Sequence, residues 1–342
     1  MKMIRTQEAV GQVLLHDMTQ IIPGEYKGAR FQKGHVVRDE DIPTLLSMGK
    51  ENLYIMDPDS DLVHEDAAAD RLRSLCQNKN MCAKGPREGK IELFAETDGL
   101  FKIRRNALYA LNSQDEMMVA TRHGDTMVRK GDKLAGMRVI PLWIEEEKLR
   151  AAEAVVGAEP ILELKPFTRR KAALIITGNE VKSGRIEDRF APALERILAD
   201  YGVSVISKAW PGDDKDEIIR QIQRARFSEA DIILCTGGMS VDPDDRTPAA
   251  IRDSGAHIIR YGAPVLPGAM MMLGYYRDGT PIVGLPGCVM YARSTVFQIL
   301  LPRILADDTV TYDEISMLGE GGLCLDCDDC RFPNCGFGKG GF

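Results

Sequence analysis

At 342 residues the chain is long enough for two or three domains, each with a sizeable buried core. An apolar fraction of 44% beside 28% charged residues is that of an ordinary globular protein and excludes bulk disorder. A formal charge of −7 excludes the basic clustering that a nucleic-acid surface needs, and no apolar run approaches a membrane span. Residues 1–5 lead into no secretory apolar segment, so the cytoplasm is the expected compartment. There the eight cysteines would be mostly reduced.

From the N-terminus, residues 13–15 read as a strand and residues 24–34 as a turn-rich loop carrying Tyr26, Lys27 and Arg30. A short helix is expected to open at Asp39-Glu40-Asp41, where acids suit the positive helix end, and to stop at Gly49. A strand over 52–56, a turn at Asp57-Pro58-Asp59 and a helix over 65–76 complete a small mixed module, residues 1–84. From Gly85-Pro86 the texture changes. Residues 91–95, 100–103, 117–122, 126–128 and 137–144 are strand-like and separated by Asp98-Gly99, Gly124-Asp125 and Lys130-Gly131-Asp132. This predicts a mostly β module over 85–145. The charged, alanine-rich stretch 145–156 reads as a helix, within a helical linker spanning 146–171.

The next segment organises the rest. Three short apolar runs, 172–176, 231–235 and 281–285, each end in a glycine-bearing turn: Thr177-Gly178-Asn179-Glu180, Thr236-Gly237-Gly238 and Pro286-Gly287. Between them lie helical spacings at Leu194, Ile197, Leu198 and Tyr201, and at Ile218, Ile219, Ile222 and Ala225. Repeated strand, loop and helix predict an α/β domain over 172–310, a parallel sheet covered on both faces in three layers. Ligands of such sheets bind outside the carboxyl ends of the strands, where all three glycine turns fall.

The turn Thr236-Gly237-Gly238-Met239-Ser240 lets backbone N–H groups approach an anion, which points to a phosphate site. Asp242, Asp244 and Asp245 follow directly, and closely spaced carboxylates can hold Mg²⁺ against a phosphate. The alternative is that these acids cap a helix beginning at Thr247-Pro248. Thr247 with Pro248 would already supply that cap, leaving the acids surplus to it. There is no G-x-G-x-x-G after a strand, no P-loop and no G-x-S-x-G, and the five histidines do not cluster at metal-ligand spacing. The residues alone therefore indicate a phosphorylated ligand with Mg²⁺.

Thr177-Gly178-Asn179-Glu180-Val181, Gly184-Arg185-Ile186-Glu187-Asp188, Thr236-Gly237-Gly238-Met239-Ser240-Val241 with Asp245, Pro267-Gly268 and Gly284-Leu285-Pro286-Gly287 stand in order. In this order and spacing they resemble the molybdopterin-binding domain shared by MoeA/gephyrin insertases, MogA adenylyltransferases and CinA-like proteins. The domain order is similar to that of MoeA. What the resemblance implies is molybdopterin, or its adenylylated form, bound over the glycine loops, with Mg²⁺ and acidic residues serving cleavage of the adenylyl phosphoanhydride as molybdate is transferred. Carried over residue by residue, Glu180, Asp188 and Asp245 would be catalytic. Thr177, Gly178, Asp214, Thr236, Gly237, Gly238, Ser240, Pro286, Gly287 and Cys288 would hold the ligand, and Asp242 with Asp245 the Mg²⁺. A homodimer and a recipient apo-molybdoenzyme are implied as partners.

The chain departs from the family pattern at Phe190, which replaces an asparagine, and at Leu266 and Ala269, which replace lysines flanking Pro267-Gly268. Cys288 and Val289 replace Asn-Pro, and the Ser-x-x-Asp-Gly-Tyr-Ala signature of the insertases is absent. Two lost lysines remove charge that would face an anionic substrate, so a non-catalytic molybdopterin carrier or sensor is an alternative, as is a CinA-like nucleotide hydrolase. Packing against the sheet is expected of Phe190. Cys288, read as lying near a helix start, has either a lowered thiol pKa and a contact to the cofactor, or a small buried apolar role. In the tail, residues 311–342, Cys324-x₂-Cys327-x₂-Cys330-x₄-Cys335 can hold Zn²⁺ or an iron–sulfur cluster, and the spacing does not choose between them. Cys76 and Cys82 are expected in core and loop.

Overall fold

The computed structural model describes residues 2–22, 26–55, 61–240, 242–243 and 245–340. The chain divides into two compact units, one of residues 1–95, 103–122 and 133–163, the other of residues 96–102, 123–132 and 164–342. Among the described residues no helix is long and apolar enough to cross a membrane.

In the first unit, Met81–Arg87, Lys90–Ala95, Lys133–Val139 and Met117–Thr121 form a four-stranded antiparallel sheet in that order. Their inward positions alternate, as at Ile91, Leu93 and Ala95, which is the period-2 pattern of a sheet with one buried face. The helix Glu65–Cys76 has the expected bounds and buries Ala68, Ala69, Leu72 and Cys76. The charged helix is Glu146–Val156. The strand-like run 137–144 is in fact two strands, Lys133–Val139 and Trp143–Glu145, because Pro141 lies between them and has no N–H for a ladder. A helix at Arg105–Asn112 went unread, although Ala107 and Leu111 stand four apart and are both buried.

The N-terminal stretch needs more correction. Residues 24–34 are no loop: Tyr26–Phe31 pairs antiparallel with Met18–Ile22, and Gly24 itself lies outside the described residues. Residues 13–15 make only an isolated bridge, Val13 to Val36. The expected helix divides into a 3₁₀ turn Asp39–Asp41 and an α-helix Ile42–Ser47, and Gly49 takes the positive φ of 74° that ends it. The strand is Asn52–Ile55, while Met56 and the turn Asp57-Pro58-Asp59 lie outside the described residues.

The second unit is α/β and is built on a six-stranded sheet. Its order is Ser204–Ala209, Lys171–Ile176, Ile232–Thr236, Pro281–Leu285, Met272–Tyr275 and His257–Tyr261. The first four run parallel, as the three apolar runs predict, and the last two add an antiparallel edge. The central strands are buried on both faces. Leu174 and Ile176 join Leu194, Leu198 and Leu300 in one core, whereas Ala173 and Ile175 join Ile218, Ile222 and Ile251 in another. Phe190–Ala199 and Val296–Leu305 cover the first face, and Lys215–Arg226 and Thr247–Asp253 the second, giving the expected three layers. Each fully buried leucine or isoleucine contributes about 1.5–3 kcal/mol. Phe190 packs against the first core, as expected.

Candidate functional site

Register brings the loops together. Ile176 is the partner of Thr236, and Thr236 of Leu285, so three neighbouring strands end at one level. Thr177-Gly178, Gly237-Gly238 and Pro286-Gly287 therefore leave the sheet side by side. Ala209, partner of Ile175, brings Trp210 to the same edge. The Thr177 N–H continues the ladder one step further, donating to the Thr236 carbonyl at 2.8 Å.

Two glycines set how closely the loops approach. Gly237 has φ of 86°, and a Cβ there would lie 2.3 Å from the Thr177 carbonyl oxygen. Only a residue without a side chain permits that approach. At Gly284, within its strand, a Cβ would lie 2.5 Å from the Met239 methyl carbon. The loop thus drops its buried Met239 onto the sheet, which anchors the exposed Ser240 next to it. Tyr261 fixes the same stretch by donating its hydroxyl to the Met239 carbonyl at 2.9 Å. Burial pushes the Tyr261 phenol above its ordinary pKa; Arg252 opposes this and the negative charge of Asp245 adds to it. The hydroxyl accordingly remains a donor at neutral pH.

The acids are arranged differently from one another. Asp242 and Asp245 close one turn: the Asp245 N–H donates to the Asp242 carbonyl at 2.9 Å, and the Asp242 N–H to Asp245 Oδ2 at 3.2 Å. Asp244 lies outside the described residues. Asp188 accepts three hydrogen bonds: Phe190 and Ala191 N–H groups donate to Oδ1 at 2.8 and 3.2 Å, and the Trp210 indole N–H donates to Oδ2 at 2.9 Å. Asp214 caps the Lys215–Arg226 helix by accepting from the Glu217 N–H at 2.8 Å. Glu180 stands exposed on the short helix Asn179–Lys182. That helix is tied to the neighbouring strand end by Asn179 and Asp213, whose backbone N–H groups donate to each other's side chains at 3.0 and 3.4 Å.

Two local readings are corrected. Thr247 caps nothing: it is fully buried, and its hydroxyl lies 2.9 Å from that of Thr177. The residue before the helix is Arg246, with no side-chain cap, so a tertiary hydrogen bond has displaced the local motif. Cys288 sits inside the 3₁₀ turn Gly287–Met290, and the next helix starts only at Val296. Burial pushes its thiol pKa up, so the lowered value expected of a helix start does not hold. The sequence reading also passed over Trp210, Asp213 and Tyr261. A lone aromatic or acid in a loop carries no periodic signal, and only the fold brings these to the site.

In the tail, all four cysteines are free, with Cys327 and Cys330 exposed and Cys324 and Cys335 half-buried. Among the described residues, no three histidine, cysteine, aspartate or glutamate side chains converge to hold a metal ion. The glycine loops fit a phosphate, since their backbones are bare of side chains at the closest approach. Asp242 and Asp245 put two carboxylates in one turn, and Mg²⁺ commonly keeps several waters and takes only one or two protein carboxylates.

Residues 173–306 match the family model described as a probable molybdopterin binding domain, and residues 3–57 match one described as a domain of unknown function. The chain is 29% identical over 147 residues to the molybdenum cofactor biosynthesis bifunctional protein of Synechococcus elongatus, covering 40% of this chain and 46% of that protein. It is 39% identical over 80 residues to a CinA-like protein of Desulfosudis oleivorans, covering 23% of this chain and 19% of that one. It thus spans less than half the length of these curated relatives. A crystal structure of the molybdopterin biosynthesis protein MoeA of Pyrococcus horikoshii aligns at 15% identity and a TM-score of 0.33, over 90% of this chain and 76% of that one.

Proposed function

We propose that the second unit binds molybdopterin or its adenylylated form over the three glycine loops and acts late in molybdenum cofactor assembly. The single observation that carries this reading is the common level of Ile176, Thr236 and Leu285, from which three side-chain-poor loops emerge together. The family model matched by residues 173–306 supports the choice of ligand.

On this reading Thr177, Gly178, Thr236, Gly237, Gly238 and Ser240 present backbone and hydroxyl donors to the phosphate, where a charge-assisted hydrogen bond is strongest. Asp242 and Asp245 hold Mg²⁺, which supplies charge neutralisation on the phosphates when bound. Glu180 reaches the ligand from the facing loop, and Pro286, Gly287 and Cys288 close the third side. Asp188 and Asp214 act by positioning: one holds Trp210 and the start of the Phe190–Ala199 helix, the other the start of Lys215–Arg226. Molybdate enters as a substrate.

A second reading, a carrier without turnover, is favoured by the three hydrogen bonds that Asp188 accepts, which give it a structural task at the start of the Phe190–Ala199 helix. Anaerobic incubation of the purified chain with adenylylated molybdopterin, Mg²⁺ and molybdate separates the two. Molybdate-dependent AMP release that disappears in Asp245→Asn establishes the enzyme. Binding without AMP establishes the carrier, and failure to bind the ligand at all removes both.

A further inference from the structure

The proposed ligand site leaves the tail unexplained. Residues 319–340 contain neither helix nor strand, only a bridge from Leu266 to Leu323, yet they are folded against the second unit at several points. The Cys324 N–H donates to the Leu266 carbonyl at 2.8 Å, and the Leu266 N–H to the Gly322 carbonyl at 2.8 Å. The Arg293 guanidinium donates to the carbonyls of Cys327 and Asp328. Cys324, Phe332 and Cys335 pack against the larger core. Among the described residues seven backbone bonds involve 319–340, against a conformational entropy cost of about 1–2 kcal/mol for each residue held.

Between the tail and residues 292–294 lies a half-open cavity of about 650 Å³, and all four of Cys324, Cys327, Cys330 and Cys335 line it. The four thiols ring a space without closing on one point, since no three of them lie close enough to share a single ion. Around one Zn²⁺, with Zn–S bonds of about 2.3 Å, four sulfurs would have to nearly touch. On a four-iron cluster each thiolate binds a different iron, and the sulfurs stand apart around a solid core. The lining also carries Arg293 and Arg331, whose charges are offset by Asp326 and Asp329. The Ser294 hydroxyl lies 3.8 Å from Cys330 Sγ, in reach to donate to a ligated sulfur.

We propose that Cys324, Cys327, Cys330 and Cys335 ligate a four-iron, four-sulfide cluster that sits in this cavity and holds the tail. The proposal goes beyond the ligand reading above and does not depend on it, because no glycine-loop residue lines the cavity. Assembly takes two ferrous and two ferric ions, four sulfides and four thiols: four Fe–S(Cys) bonds form, each thiol loses its proton, and the core reaches its 2+ state with no further oxidant.

The test is anaerobic reconstitution of the full chain with ferrous iron, ferric iron and sulfide, followed by iron and sulfide analysis and electron paramagnetic resonance of the dithionite-reduced sample. The expected content is about four iron atoms per chain, falling below about one in Cys327→Ser and in Cys330→Ser, while Cys82→Ser retains it. Circular dichroism and the stability of the second unit at the glycine loops check that the exposed-cysteine variants still fold. One zinc or one iron per chain, bound through the same cysteines, would overturn the cluster. Iron that persists equally in Cys327→Ser would overturn the site.

Discussion

Replacing Gly237 by alanine tests the central geometric argument. The residue sits at φ of 86°, where an L side chain costs about 1–2 kcal/mol. The added Cβ would also lie 2.3 Å from the Thr177 carbonyl oxygen and 3.0 Å from its carbonyl carbon, both backbone atoms that no rotamer change can move. The two loops must separate, which weakens the 2.8 Å bond from the Thr177 N–H to the Thr236 carbonyl by about 1 kcal/mol. The total is about 2–3 kcal/mol, or a fall in Tm of roughly 4–12 °C for a unit of this size. Gly238 is the comparator. Its φ is 50°, and the nearest atoms to an added Cβ are side-chain oxygens at 3.2 to 3.5 Å, which can turn away. Gly238→Ala should cost about 1 kcal/mol and Gly238→Asn less, because asparagine tolerates that backbone region. Calorimetry of each variant, with molybdopterin titrated in parallel, decides the order. A Gly237→Ala protein as stable as Gly238→Ala would refute the close approach of the loops, and with it the reason for glycine there.

Thr177→Val removes one partner of a buried hydroxyl pair and leaves Thr247 unsatisfied, so it should cost about 1–3 kcal/mol in urea unfolding. If Thr177→Val and Thr247→Val are each costly but the double variant is no worse than either, the coupling is confirmed; additive losses would contradict it. Asp308 predicts an acid limb. Burial alone would raise its pKa, but Lys102 at 2.6 Å and Arg303 at 2.7 Å hold it down to about 2. A depressed folded-state value means stability that is full above about pH 4 and lost as pH falls through about 2, amounting to about 2 kcal/mol. Asp308→Asn should lower stability at neutral pH by at least that much and flatten the acid limb between about pH 4 and 2, as read by unfolding midpoints across pH.

The doubly covered sheet was legible because its strands carry unbroken apolar runs, and a strand buried on both faces needs no alternation to be seen. The antiparallel edge was not. His257–Tyr261 is only partly buried and places Arg260 among apolar residues, so neither strand period stands out. The N-terminal hairpin failed for a similar reason: Tyr26–Phe31 is mostly exposed, and its Lys-Gly-Ala-Arg core reads as a turn. The order of the apolar runs put the three loops at neighbouring strand ends, as the structure has them, while local roles were misread wherever a partner distant in sequence took over. Thr247 exchanged a cap for Thr177, and Asp188 is occupied by Trp210, twenty-two positions away. The helix Tyr312–Met317 could have been found, since Thr311 and Glu314 form a capping box that is plain in the sequence.

The shared level of the strand ends has a kinetic meaning. Thr177 and Thr236 are 59 positions apart, and Thr236 and Leu285 another 49, so no contiguous fragment of the chain short of this span holds the site. Closing such long loops is the slow part of assembling a parallel sheet. The three loops stand side by side only when the Pro281–Leu285 strand is paired beside Ile232–Thr236, so a chain lacking that strand does not present them together.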